Sequence, residues 1–115
     1  MQRRSLKAGK LLKMKNDAPI SYRIKEQSLI ARIAAWKLSA DAVAIVIGNC
    51  IHLHNVKSED FLQNRRWFKH ECCHIRQFQR HGFFSFVCKY LWESLRHGYY
   101  NNKYEVEARA AEVDD

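Results

Sequence analysis

The sequence predicts an α+β domain with a β-hairpin, alone or as part of a small sheet, set among helices. Three observations carry that expectation. A β-branched run, Ala42-Val43-Ala44-Ile45-Val46-Ile47, is followed by Gly48-Asn49 and a second strand-like run, Cys50-Ile51-His52-Leu53-His54-Asn55, which together read as two strands joined by a tight turn. On either side of this pair, apolar residues recur at helical spacing. The chain has 115 residues, 47% of them hydrophobic, enough for one core and too few for a second lobe.

Taken in order, residues 1–22 hold Arg3, Arg4, Lys7, Lys10, Lys13 and Lys15 ahead of any acid, with Gly9 and Pro19 breaking the stretch. They read as a basic, mobile arm, and the domain proper as residues 23–112. A helix is expected from near Lys25 to about Leu38, packing Ile30, Ile33 and Ala34 on the core, with Leu29, Trp36 and Leu38 widening the stripe. The hairpin follows. His52 and His54 share one face of its second strand, a half-exposed face more than a ligand pair. Ser58 then resembles an N-cap, with Glu59 and Asp60 suited to a first helical turn. The helix beyond it breaks near Asn64 and ends at Arg80-His81-Gly82, with cations in the last turn and glycine just past it.

The next helix, from about Phe83 to Gly98, is apolar round much of its circumference and is expected to pack under its predecessor as the domain's main prop, with lying on a membrane as the other option. Asn102, with Glu105 three residues on, resembles a capping box that opens a last helix to Glu112. Residues 113–115 are an acidic tail.

Inside the middle helix stands His70-Glu71-Cys72-Cys73-His74, the pattern H-E-x-x-H. At about 100° per residue, His70 and His74 lie within roughly 40° of each other, one turn apart. Glu71 flanks the pair, and Cys72 points toward the core side. Two imidazoles on one face suit a divalent metal, with a carboxylate beside them to work on water. The plain alternative is a surface helix that happens to carry these letters.

A third ligand must come from elsewhere. Glu105 and Glu107 on the last helix lie about 200° apart, so only one can face the metal helix. Glu105 pairs at i, i+4 with Arg109 and stacks with Glu112 at i+7, as on a solvated face. Glu107 shares its side with Tyr104, Ala108, Ala110 and Ala111, a close-packed face where a lone carboxylate needs a positive partner. That reasoning names Glu107.

The four cysteines, Cys50, Cys72, Cys73 and Cys88, show no C-x-x-C spacing, and adjacent Cys72 and Cys73 are poorly placed to bridge. Free thiols in a reducing, cytoplasmic setting are expected. No apolar run is long enough to span a bilayer, and the start carries no apolar signal core. Net charge is +8, so an anionic partner, nucleic acid or membrane, is expected to meet the basic arm if anything does.

H-E-x-x-H on one helix, followed by a helix bearing Glu105-Val106-Glu107-Ala108, resembles the gluzincin class of zinc metallopeptidases. The wider run from Arg66 to His74, then Tyr90-Leu91-Trp92-Glu93, Tyr100-Asn101-Asn102 and Glu105 to Arg109, resembles small bacterial single-domain proteins related to the peptidase-like core domain of extracellular contractile injection systems and to minigluzincins. The resemblance covers residues 24–112. It implies a zincin-like fold, zinc held by His70, His74 and Glu107, and Glu71 as general base on a zinc-activated water in peptide-bond hydrolysis. It also implies the strand at Cys50–Asn55 as the edge where an extended peptide or protein substrate would add. An oxyanion donor is sought among Tyr99, Tyr100, Tyr104 and His97, with Tyr100 or His97 preferred. Two other readings remain: a non-catalytic zinc protein whose site Cys73 closes, and a basic adaptor that binds nucleic acid or anionic membrane through residues 1–16.

Overall fold

A computed structural model describes residues 6–8 and 20–114. The molecule is α+β, as expected. Strands β1 (Leu6–Ala8), β2 (Arg23–Lys25), β3 (Val43–Ile47) and β4 (Cys50–His54) form one sheet in the order β1-β2-β4-β3. Helices α1 (Leu29–Leu38), α2 (Ser58–Gln63), α3 (Arg65–His81), α4 (Phe83–Asn101) and α5 (Lys103–Ala111) complete it.

The hairpin forms where the β-branched residues place it, with Val46 opposite Ile51 and Ile47 opposite Cys50. Gly48 takes a φ of 66° in the turn, a conformation that favours glycine. The hairpin is part of a small sheet, whose other strands the sequence reading did not locate. Arg23–Lys25 is a strand paired parallel to β4, not the start of α1, and Leu6–Ala8 pairs antiparallel to it. Three residues of the expected arm are thus strand, and Ile20 lies in the core. The remainder of the arm, residues 1–5 and 9–19, falls outside the described residues, as does residue 115 of the tail.

One correction bears directly on function. β4 is paired on both sides, so the strand at Cys50–His54 is no edge; the edges are β1 and β3, and β3 is the one beside the cleft.

The main core lies between sheet and α3. Ile20, Ile24, Ile51 and Leu53 meet Phe61 of α2 and Phe68, Cys72 and Ile75 of α3. Rings lock edge-on there, Tyr22 to Phe68 at 5.2 Å and Phe61 to Phe68 at 5.9 Å. Cys72 is buried as its helical position required, and burial pushes its thiol up to about 12. None of the four cysteines is in a disulfide.

α1 and α4 depart from expectation in the same way. Ser28 caps α1, its Oγ accepting from the Ala31 amide at 3.3 Å, but the inward residues are Ala31 and Ala35. Leu29, Ile30, Ile33, Trp36 and Leu38 are exposed. Small alanines let the helix sit close on Val43, and that turns the larger side chains outward. In α4 only Phe86 is buried; it packs on Phe78 at 4.7 Å and Tyr104 at 5.0 Å, and so ties α3, α4 and α5 at one point. α4 is a strut with an exposed apolar face, not a core helix.

Candidate metal centre

α3 positions the motif through its ends. Asn64 breaks it from α2 and caps it, Oδ1 accepting from the Trp67 amide at 3.2 Å. Ser58 is not the N-cap of α2; that place is Lys57, and the Ser58 amide donates instead to Glu26 Oε2 at 2.6 Å. Gly82, φ 83°, closes α3. Between these ends α3 buries Phe68, Cys72 and Ile75 on one side and presents His70, Glu71 and His74 on the other, toward α5 and the cleft beside β3.

The imidazoles converge on Glu105, not on Glu107. His70 Nε2 stands 3.1 Å from Glu105 Oε1, and His74 Nε2 stands 3.2 Å from Glu105 Oε2. Among the described residues, His70, His74 and Glu105 are the group able to hold a metal ion, their donor atoms within 4.8 Å of one another. Donors at zinc bonds of about 2.0 Å stand roughly 3.3 Å apart on a tetrahedron, so the two His–Glu separations fit a small divalent ion.

The assignment of faces on α5 is therefore reversed. Its inward side is Tyr104, Glu105 and Ala108, continued by Glu112, while Glu107 is exposed. Arg109 does not pair with Glu105; its guanidinium donates to the Tyr100 carbonyl at 2.5 Å and stacks 3.9 Å over the Tyr100 ring. The capping box is half formed. Asn102 Oδ1 accepts from the Tyr104 amide at 2.8 Å, and the carboxylate of Glu105 goes to the histidines.

Each ring is oriented by its other nitrogen. His70 Nδ1 is 2.8 Å from Glu112 Oε2, and His74 Nδ1 is 2.8 Å from Gln77 Oε1. Gln77 can only accept through that oxygen, so His74 donates from Nδ1 and turns Nε2 toward Glu105. The Gln77 amide nitrogen donates to Glu107 Oε1 at 2.7 Å and to the Tyr104 carbonyl at 3.0 Å. Glu107, also 3.3 Å from Arg80, thus supports His74 at one remove. Cys73 Sγ receives a weak contact from Gln77 at 3.7 Å and lies outside the metal group.

Burial opposes charge on both rings, yet hydrogen bonds to Glu105, with the Glu71 charge beside them, raise His70 to about 9 and raise His74 as well. Burial likewise opposes the Glu105 carboxylate, but His70, His74 and Tyr90 hold it well below the usual carboxylate range. The Tyr90 hydroxyl donates to Glu105 Oε2 at 2.5 Å. Glu71 is buried, and burial pushes its carboxyl up to about 7 against the pull of His74 and His70.

Two cavities meet at His70 and Glu71. One, about 440 Å³, is lined by β3, by Phe78 and Phe86, and by Tyr90, Leu91, Tyr99 and Glu105. The other, about 530 Å³, runs past Val43 and Ala44 to Trp67, Arg66 and Glu112. Tyr99, itself 53% exposed, lines both, and partial burial together with the charge of Glu105 pushes its hydroxyl up to about 12. Tyr100 and His97 line neither cavity and are exposed. His52 sits elsewhere, bonded to Ser28 Oγ at 2.8 Å, its pKa lowered by burial.

Sequence reasoning named Glu105 and Tyr99 as candidates but preferred Glu107 and Tyr100 or His97, and it gave no role at the site to Glu112 or Gln77. A signal existed for two of them: Glu105 and Glu112, seven apart on α5, lie on one face and meet the same histidine. No family model, curated protein or solved structure matches this chain.

Proposed function

We propose that this protein is a zinc-dependent peptidase whose ligands are His70, His74 and Glu105. The observation that carries the reading is the convergence of both Nε2 atoms on one buried carboxylate, with a second buried carboxylate, Glu71, at the meeting point of two cavities. The donor set, two imidazoles and a carboxylate, is one that zinc takes in hydrolytic sites. Cys73 stands outside that set, which favours an open position over a closed structural site.

A bound ion would supply an open coordination position for water and polarise an amide carbonyl. The remaining work falls to side chains. Glu71 takes the proton of the attacking water and passes it to the leaving amine. Tyr99, protonated and facing both cavities, takes the oxyanion-donor role first sought in Tyr100 and His97. The free edge of β3 pairs with an extended substrate, so the peptide runs along Val43–Ile47 past Glu71.

Metal content and peptide hydrolysis, measured together, test this. Wild type should hold about one zinc per chain; Glu105→Ala should lose it, and Glu107→Ala should keep it. Glu71→Gln should retain zinc and lose hydrolysis by at least about a hundredfold, the usual worth of a general base. A wild type that takes up no zinc, or an equally active Glu71→Gln, sinks the proposal.

A further inference from the structure

α1 and α4 both turn apolar stripes away from the core. On α1, Leu29, Ile33 and Trp36 recur at i, i+4, i+7, and Trp36 is 79% exposed. On α4, Phe84, Cys88, Leu91 and Leu95 recur at i, i+4, i+7, i+11, with Trp92 beside them; Phe84 is 80% and Leu95 81% exposed. Scattered exposed apolar residues are ordinary, but two ordered stripes of this size are not.

Of the α4 stripe, Leu91 lines the 440 Å³ cavity beside His70, Glu71 and His74; the α1 wall of that cavity is Ala34, Lys37 and Leu38, away from Leu29, Ile33 and Trp36. Charge indicates the occupant. Exposed Arg32 and Lys37 flank the α1 stripe, and exposed Lys89 and Arg96 flank that of α4. α1 has no acid, and the single acid of α4, Glu93, is engaged by the Lys103 amide at 3.0 Å. The whole chain carries +8. Trp and Phe among aliphatics, rimmed by Lys and Arg, is the composition of a face that enters the headgroup region of an anionic bilayer. A second copy seated on these stripes would set Arg32, Lys37, Lys89 and Arg96 against the same cations, and nucleic acid offers nothing to cover Phe84 and Leu95.

We propose that the outward stripes of α1 and α4 dock this protein on an anionic lipid bilayer. Docking requires no helix to cross the membrane, and none among the described residues is long and apolar enough to do so. It is independent of the metal reading, because binding is read without zinc or hydrolysis.

Sedimentation of the whole chain with vesicles decides it, comparing phosphatidylcholine alone with an equal mixture of phosphatidylcholine and phosphatidylglycerol. The wild type should bind the mixed vesicles, release at high salt, and blue-shift its tryptophan emission as Trp36 and Trp92 leave water. The double variant Phe84→Ser with Leu95→Ser, and separately Trp36→Ser, should bind at least about tenfold more weakly while keeping the wild-type circular dichroism. Failure of the wild type to bind mixed vesicles overturns the proposal. So does undiminished binding by both variants, which would assign the affinity to the basic residues near the start of the chain. A dimer that these substitutions dissolve, without vesicle binding, would overturn it in favour of a self-interface.

Discussion

Gln77 spends every polar atom of its amide on the site: its oxygen takes His74, and its nitrogen goes to Glu107 and the Tyr104 carbonyl. No other side chain of similar size can accept from one partner and donate to two with this geometry. Replacing Gln77 with Leu leaves the His74 Nδ1 proton and the Tyr104 carbonyl without this partner, and lets the ring choose its tautomer freely. Zinc affinity should fall about 10- to 100-fold, the usual cost of losing the group that orients a ligand histidine. Glu112→Ala should act similarly through His70, whose Nδ1 it holds at 2.8 Å. Competition titration with a zinc chelator measures both. Equal affinity in wild type and Gln77→Leu would remove the orienting role assigned to the amide.

The helices differ in how far their chemistry could be read from letters. α3 was legible because its ends and its motif carry local signals: Asn64, the Arg80-His81-Gly82 stop, and histidines one turn apart. The break at Gly98 was legible for the same reason, and the structure places φ 80° there inside α4. Nothing lies within 4 Å of an added Cβ at Gly98, so Gly98→Ala costs the strain of a backbone region that is essentially glycine's own, about 1–3 kcal/mol. Urea unfolding should show that loss, and hydrolysis should fall further than stability alone explains, because Tyr99 follows directly. By contrast, the faces of α5 are reversed because the charged neighbours of Glu105, namely Arg109 and Glu112, read as a solvated face, whereas Arg109 goes to Tyr100 and Glu112 to His70. Tyr104 and Ala108 lie between Glu105 and Glu107 on the helical wheel, so the apolar residues alone could not choose between them. The choice was made by partners more than thirty residues away in α3, which no local period reports. The same limit hid β2, whose three residues become a strand only because β4 lies beside them.

At the scale of the whole molecule, α3 and α5 are joined across a charged cluster, so folding should respond strongly to pH when no metal is bound. His70 rises from 6.5 to about 9, so its contribution is complete below pH 6.5 and disappears as pH climbs through 9. Glu71 rises from 4.5 to about 7, so the buried acid becomes a cost over that interval as it ionises. Glu105 is shifted the other way, and its contribution is lost as pH falls below its unfolded value of 4.5. The metal-free protein should therefore be most stable near about pH 5 and weaken steadily toward about pH 9. At about 1.4 kcal/mol per pKa unit each of the two rises, of His70 and of Glu71, corresponds to about 3 kcal/mol, and coupling between the groups keeps the total fall below twice that. Zinc should reverse that slope. It binds neutral imidazoles, so its stabilisation grows as His70 and His74 lose their protons, and each binding event near neutral pH releases protons to the buffer. Urea midpoints with chelator and with added zinc, taken at about pH 5, 7 and 9, measure both slopes. Parallel curves would mean that the histidines do not bind the ion, and the cluster would then be an ordinary buried ion-pair network that fastens α5 to α3.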